Sequence, residues 1–129
     1  MILGVGMDMC EIERMGRAIG QSHFVDRVFT AAEGERIRSA PPNRAAEIAA
    51  GLFAAKEAVS KALGTGFAGF GPGEVEILPD IAGCPGCRLY EGALKRAKAL
   101  CGGGEFSVWV SITHEKGVAA ATAIIERKA

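Results

Sequence analysis

The sequence has no excess of either charge: Lys and Arg number 15 and Asp and Glu number 15, a formal net charge of zero over 129 residues. That balance argues against bulk electrostatic binding of nucleic acid, which takes a basic stripe and a high pI, and leaves room only for a local basic patch. No run approaches the roughly 20 consecutive apolar residues of a membrane helix. A basic leader is missing too. The opening Met1-Ile2-Leu3-Gly4-Val5-Gly6-Met7-Asp8 meets a carboxylate almost at once, unlike a signal peptide, so a cytoplasmic protein is expected. Repeats, low-complexity tracts and linkers are absent, and residues 1–129 read as one domain. Cysteines are few: Cys10, Cys84, Cys87 and Cys101, expected to be reduced in the cytosol. Cys84-Pro85-Gly86-Cys87 has the spacing of half a zinc knuckle or a redox pair. A zinc site would need two more ligands, and Cys10, Cys101 and His23 supply no second paired spacing. The motif also falls in a turn between short strands, without the strand-then-helix setting of a thioredoxin-like pair.

Hydrophobic residues make up 49% of the chain, enough for a real core. Residues 2–9 alternate in the two-residue period of a strand, with Leu3, Val5, Met7 and Met9 on one face. Ile2, Gly4, Gly6 and Asp8 share the other. Side chains that small let a ligand or another backbone approach the carboxylate. The plainer alternative is that the glycines allow tight packing and Asp8 caps the next helix.

Helical patterns follow over residues 11–19, where Ile12, Met15 and Ile19 form the apolar stripe, and around Phe24 to Phe29. Thr30-Ala31-Ala32-Glu33 reads as a capping box, and Ala40-Pro41-Pro42-Asn43 as a loop. The longest helix is predicted from Arg44 to Leu63, with Ile48, Leu52, Ala55, Val59 and Ala62 facing the core. A glycine-rich loop runs from Thr65 to Gly73. Short strands are expected at Glu74–Leu78 and Arg88–Tyr90, and a helix at Gly92–Leu100. A hairpin pairs the alternating run from Phe106 with Val118–Glu126 across a turn at Glu115-Lys116-Gly117. The fold class is therefore α+β, a small antiparallel sheet packed by one long and several short helices.

Glu57 and Lys61 stand four residues apart on the long helix, acid on the N-terminal side, as such pairs prefer. A surface ion pair is the simple reading. Against it, Lys56, Glu57 and Lys61 crowd among Ala, Phe, Val and Leu, where an isolated charge is costly unless paired or bound to metal. Asp8 and Glu57 are hard oxygen donors of the kind that hold Mg²⁺ while phosphate oxygens and water complete the shell. Spacing alone does not bring the two together. His114, with Ser111 and Thr113 before it, closes a strand just ahead of a turn.

Three blocks together resemble the holo-acyl-carrier-protein synthases, the small trimeric branch of the 4′-phosphopantetheinyl transferases. They are Ile2-Leu3-Gly4-Val5-Gly6-Met7-Asp8-Met9, the run from Phe53 through Lys56-Glu57-Ala58-Val59-Ser60-Lys61 to Gly64-Thr65-Gly66, and Val110-Ser111-Ile112-Thr113-His114. The resemblance implies transfer of phosphopantetheine from coenzyme A to a serine of an acyl carrier protein, with Mg²⁺ as cofactor, in a homotrimer with sites between subunits. It implies that Asp8 and Glu57 bind the metal against the pyrophosphate, and that Lys61 neutralises the departing 3′,5′-ADP. It places Lys56 on the coenzyme, Gly64, Thr65 and Gly66 against the nucleotide, and Thr113 and His114 on coenzyme bound by the adjacent subunit. Glu57, directly or through a metal-bound water, is the expected base. Arg14, Arg17 and Arg27 fall where the family docks its acidic carrier, here diluted by Glu11, Glu13 and Asp26.

The chain departs from the family pattern at Leu52, where an Arg is common, and at Gly83-Cys84-Pro85, where Gly-Lys-Pro is usual. Loss of that arginine makes a coenzyme-binding module without turnover the competing expectation. A small redox or zinc protein built on Cys84 and Cys87 is a third.

Overall fold

The computed structural model describes residues 1–128. Its five strands form one antiparallel sheet in the order β1-β5-β4-β3-β2, with helices packed on one face. The strands are β1 (Ile2–Glu11), β2 (Val75–Pro79), β3 (Pro85–Leu89), β4 (Phe106–Glu115) and β5 (Val118–Arg127). The helices are α1 (Ile12–Ile19), α2 (Phe24–Val28), α3 (Ala31–Ser39), α4 (Pro42–Ala62) and α5 (Glu91–Cys101). The expected α+β class is what the chain adopts.

Most boundaries follow local chemistry. Thr30 accepts from the Glu33 amide while the Glu33 carboxylate accepts from the Thr30 amide, so the capping box starts α3. The long helix begins two residues before the expected Arg44, because Pro42 suits a first turn that has no amide to satisfy. In the β4–β5 hairpin Lys116 and Gly117 both take positive φ, 46° and 83°, the geometry of a tight two-residue turn. One strand was misplaced: β3 starts at Pro85 rather than Arg88, so Cys87 lies within the sheet and pairs with Ile77. Proline and glycine at its start hid it. The sheet is weakest beside this strand, since β3 and β4 are joined at the single pair Gly86–Trp109.

Strand β1 inverts the usual arrangement. Its large apolar side chains Val5, Met7 and Met9 face outward and stay 62, 61 and 68% exposed, and Trp109 of β4 is exposed with them. The glycine face is the one that packs on α4. A β-carbon at Gly4 would lie 1.8 Å from the Ala62 carbonyl oxygen, and one at Gly6 1.8 Å from that of Ala58. Strand and helix therefore meet backbone to backbone. Alanines 49, 50, 54, 55, 58 and 62 keep the buried side of α4 thin, and Ala119, Ala121, Ala123 and Ile125 of β5 face it. The alternation holds from Gly4 onward; a register irregularity between Ile2 and Gly4 turns Leu3 toward the core.

Candidate active site

Next along the glycine face of β1 comes Asp8, and next along α4 come Glu57 and Lys61. The close seam brings all three together. Lys61 Nζ lies 3.0 Å from Asp8 Oδ1 and donates to the Met7 carbonyl, also at 3.0 Å. Burial pushes the Glu57 carboxyl above the ordinary carboxylate range; the charge of Asp8 pushes it further, and Lys61 partly opposes both. The site thus joins two carboxylates that repel one another to an ammonium that is paired with Asp8 and attracts Glu57. Among the described residues no group of three or more His, Cys, Asp or Glu side chains is placed to hold a metal. Asp8 and Glu57 are the two hard oxygen groups at this end of the helix that could hold a divalent cation, with other ligands supplied from outside the chain.

The helix ends directly beside this pair. Gly64 takes φ 84° and donates to the Lys61 carbonyl, while Gly66, at φ 59°, donates to that of Ser60. Arg96 of α5 supports the same end through a 2.8 Å bond from Nε to the Leu63 carbonyl, placing positive charge at the helix C-terminus. No spacing in the sequence marked Arg96, because it arrives from a separate helix. Cys10 is adjacent, and burial, then Asp8, raise its thiol pKa.

Lys56, expected on the coenzyme, has a side chain that is wholly enclosed within the single chain. One residue from Glu57, about 100° round the helix, it points into the core. There its Nζ lies 2.7 Å from Glu33 Oε1 and 2.8 Å from the Pro72 carbonyl, and it also donates to the Val75 carbonyl. An ammonium whose three protons are all taken inside the fold has none for a ligand.

Thr113 and His114 are not near Asp8 within one chain. Thr113 stands on the outer sheet face, beside Met7, Ser111 and Thr122. His114 lies on the helix side at the other end of α4, its Nδ1 3.8 Å from Glu47 Oε2. Glu47 and Glu57 are separated by about 15 Å of helix. His114 lines a cleft of about 220 Å³ with Arg36, Arg44, Glu47, Leu52 and Ile112. Arg36 and Arg44 were not singled out from the sequence, since each is one of several charges on a helix. Leu52 is 3% exposed and forms part of the apolar floor of that cleft.

Arg14 and Arg17 on α1 and Arg27 on α2 are all exposed. Arg17 is engaged by Glu13 at 3.1 Å. Cys84 is exposed at the β2–β3 turn, whereas burial pushes the Cys87 thiol up to about 12.

Residues 4–123 match the model of the 4′-phosphopantetheinyl transferase superfamily. The chain is 44% identical to a holo-[acyl-carrier-protein] synthase of Solidesulfovibrio magneticus, over 98% of this chain and 99% of that one. It is 43% identical to that of Caldicellulosiruptor saccharolyticus, over 99% of each. The crystal structure of the Bacillus anthracis holo-(acyl-carrier-protein) synthase in complex with CoA (3′,5′-ADP) aligns with a TM-score of 0.82. It is 31% identical and covers 99% of both chains. A Plasmodium yoelii acyl carrier protein synthase with ADP bound aligns with a TM-score of 0.86 at 26% identity, covering 100% of this chain and 98% of its own.

Proposed function

Because the chain belongs to the 4′-phosphopantetheinyl transferase superfamily, we propose that it transfers 4′-phosphopantetheine from coenzyme A to a serine hydroxyl of apo-acyl carrier protein, releasing 3′,5′-ADP. The observation that carries this reading is the meeting of Asp8, Glu57 and Lys61 at the root of a glycine loop. Phosphoryl transfer needs positioning and charge neutralisation more than covalent chemistry. Asp8 and Glu57 are the residues that would hold Mg²⁺, which supplies positive charge against the pyrophosphate. Glu57 accepts the serine proton on its carboxylate. Lys61 neutralises the phosphate charge of the leaving 3′,5′-ADP. The loop through Gly64, Thr65 and Gly66 lies against the nucleotide.

The chain works as a homotrimer in the cytoplasm, preparing carrier for fatty acid biosynthesis. Two features support the assembly: the exposed apolar sheet face of Val5, Met7, Met9 and Trp109, and the separation of His114 from Asp8 in one chain. Thr113 and His114 then serve coenzyme bound at a neighbouring subunit, with Arg36 and Arg44 adding positive charge beside His114. Arg14, Arg17 and Arg27 steer the acidic carrier by long-range attraction that salt weakens.

Incubation with apo-acyl carrier protein, coenzyme A and Mg²⁺ tests the reading, with the carrier followed by intact mass. Gain of one phosphopantetheine that requires the metal and disappears in Asp8→Ala and Glu57→Ala supports it. Coenzyme binding without loading of any acidic carrier favours the second reading, a binding module, which Leu52 motivates by standing in the cleft of Arg36, Arg44 and His114 at the position where the family resemblance leads one to expect Arg. Leu52→Arg is then the first reversion to try.

A further inference from the structure

The buried ion pair between Lys56 and Glu33 touches no solvent. Glu33 sits on α3, and its carboxylate accepts from the Thr30 amide at 2.8 Å and the Ile77 amide at 2.7 Å, besides facing Lys56 at 2.7 Å. Lys56 in turn holds the carbonyls of Pro72 and Val75, and its Nζ lies 5.7 Å from the centre of the Phe29 ring. Every polar group in this knot is satisfied. Even so, burial pulls the Lys56 ammonium below the ordinary lysine value, and Glu33 only partly restores it. A pair in such a place is weak evidence for stability, because a well-packed apolar pair often folds as well. What the pair does supply is direction.

Two of the things it joins belong to the site. Lys56 precedes Glu57 on α4, and Pro72 ends the glycine-rich loop that leaves α4 after Lys61. Gly64, Gly66 and Gly69 of that loop all take positive φ, so its sequence gives it little stiffness. Its path depends on tethers: the Gly66 amide to the Ser60 carbonyl near the start, the Gly71 amide to Glu74 Oε2 at 2.8 Å, and Lys56 to the Pro72 carbonyl at the return. We propose that Lys56 is a positioning residue, which fixes the returning end of the nucleotide loop from inside the core and thereby sets the coenzyme site, without touching coenzyme. The proposal rests on the transferase reading above.

Two variants separate position from stability. Lys56→Met combined with Glu33→Leu removes the tether and both charges together. It is expected to melt below wild type, because the Thr30 and Ile77 amides and the Pro72 and Val75 carbonyls lose their partners. It is also expected to raise the KM for coenzyme A several-fold with a smaller change in kcat, and to speed amide exchange over residues 65–71. Glu33→Gln weakens the pair but leaves the Lys56 bonds to Pro72 and Val75 in place. It is expected to melt lower than wild type, with KM and loop exchange unchanged. Loop exchange and KM that follow melting temperature in both variants would overturn the proposal, and so would a double variant with wild-type exchange and KM. Should the double variant not fold, increased loop exchange or KM in the folded Glu33→Gln protein also overturns it. Failure of the wild-type chain to load a carrier would count against the transferase reading alone, since the exchange measurement reads the tether without turnover.

Discussion

Lys61 of α4 places its ammonium 3.0 Å from Asp8 of β1, next to the Glu57 carboxylate whose charge Asp8 disfavours. The lysine acts as an internal cation for a pair of acids that would otherwise repel. Its own side chain is 51% exposed, so the bond to Asp8 adds little to folding, about 0–1 kcal/mol. Lys61→Met should therefore leave the melting temperature nearly unchanged. Carrier loading should fall about 100-fold, the usual scale for removing one charge aimed at the transition state. Paired melting and turnover measurements check this.

The carboxylate pair gives a pH signature. The Glu57 pKa is raised in the folded chain, so its contribution to stability is present in acid and lost as pH rises through that pKa. Glu57→Gln should accordingly melt above the wild type at neutral pH in chelator. The difference should shrink to nothing below the ordinary carboxylate range, where both forms are neutral. Mg²⁺ should stabilise the wild type and have no comparable effect on Asp8→Ala or Glu57→Gln. Thermal melts across pH, with chelator and with Mg²⁺, measure all three.

Gly6→Ala probes the seam between strand and helix. The added methyl would meet the Ala58 carbonyl oxygen at 1.8 Å, so β1 must move. Overpacking of this kind costs about 1–3 kcal/mol or more. Activity should fall further than stability alone accounts for, because Asp8 rides on the displaced strand. Loading measured well below the melting transition separates the two effects.

Thr30→Ala removes the cap of α3. Caps of this type contribute about 1 kcal/mol. Thr30 Oγ1 also donates to Glu76 Oε2 at 2.6 Å, so the loss should reach the upper end of that scale. Chemical denaturation would show it as a lower midpoint with an unchanged slope.

The two cysteines of the Cys84–Cys87 motif should part company under alkylation. Cys84 is exposed and should react readily near neutral pH, whereas Cys87, with its thiol at about 12, should react only on unfolding. Mass spectrometry after iodoacetamide resolves them. Cys84→Ser/Cys87→Ser protein should load carrier normally.

Much of this was legible in the chain. The alternation of β1 from Gly4 onward, the cap at Thr30, the stripe of α4 and the Lys116-Gly117 turn each rest on neighbours in sequence, and each appears as expected. The remainder had a different origin. Lys56 and Glu57 are adjacent, and composition cannot tell which of them faces the core. The partner that decides it, Glu33, comes from another helix. Strand β3 opens on Pro85-Gly86, residues that ordinarily signal a turn, and edge pairing with β2 overrides them. Arg36, Arg44 and Arg96 acquire meaning only from what the fold sets beside them.

The glycine seam carries a lesson for redesign. Because β1 rests on the carbonyl oxygens of Ala58 and Ala62, the interval between the two carboxylates is governed by main-chain thickness, not by any side chain that could be exchanged. Core substitutions elsewhere can drift in size without retuning that interval. A different ion is thus better sought by lengthening or shortening the acids themselves, as in Asp8→Glu, than by repacking the interior. The seam behaves as a mechanical stop against which the chemistry is gauged.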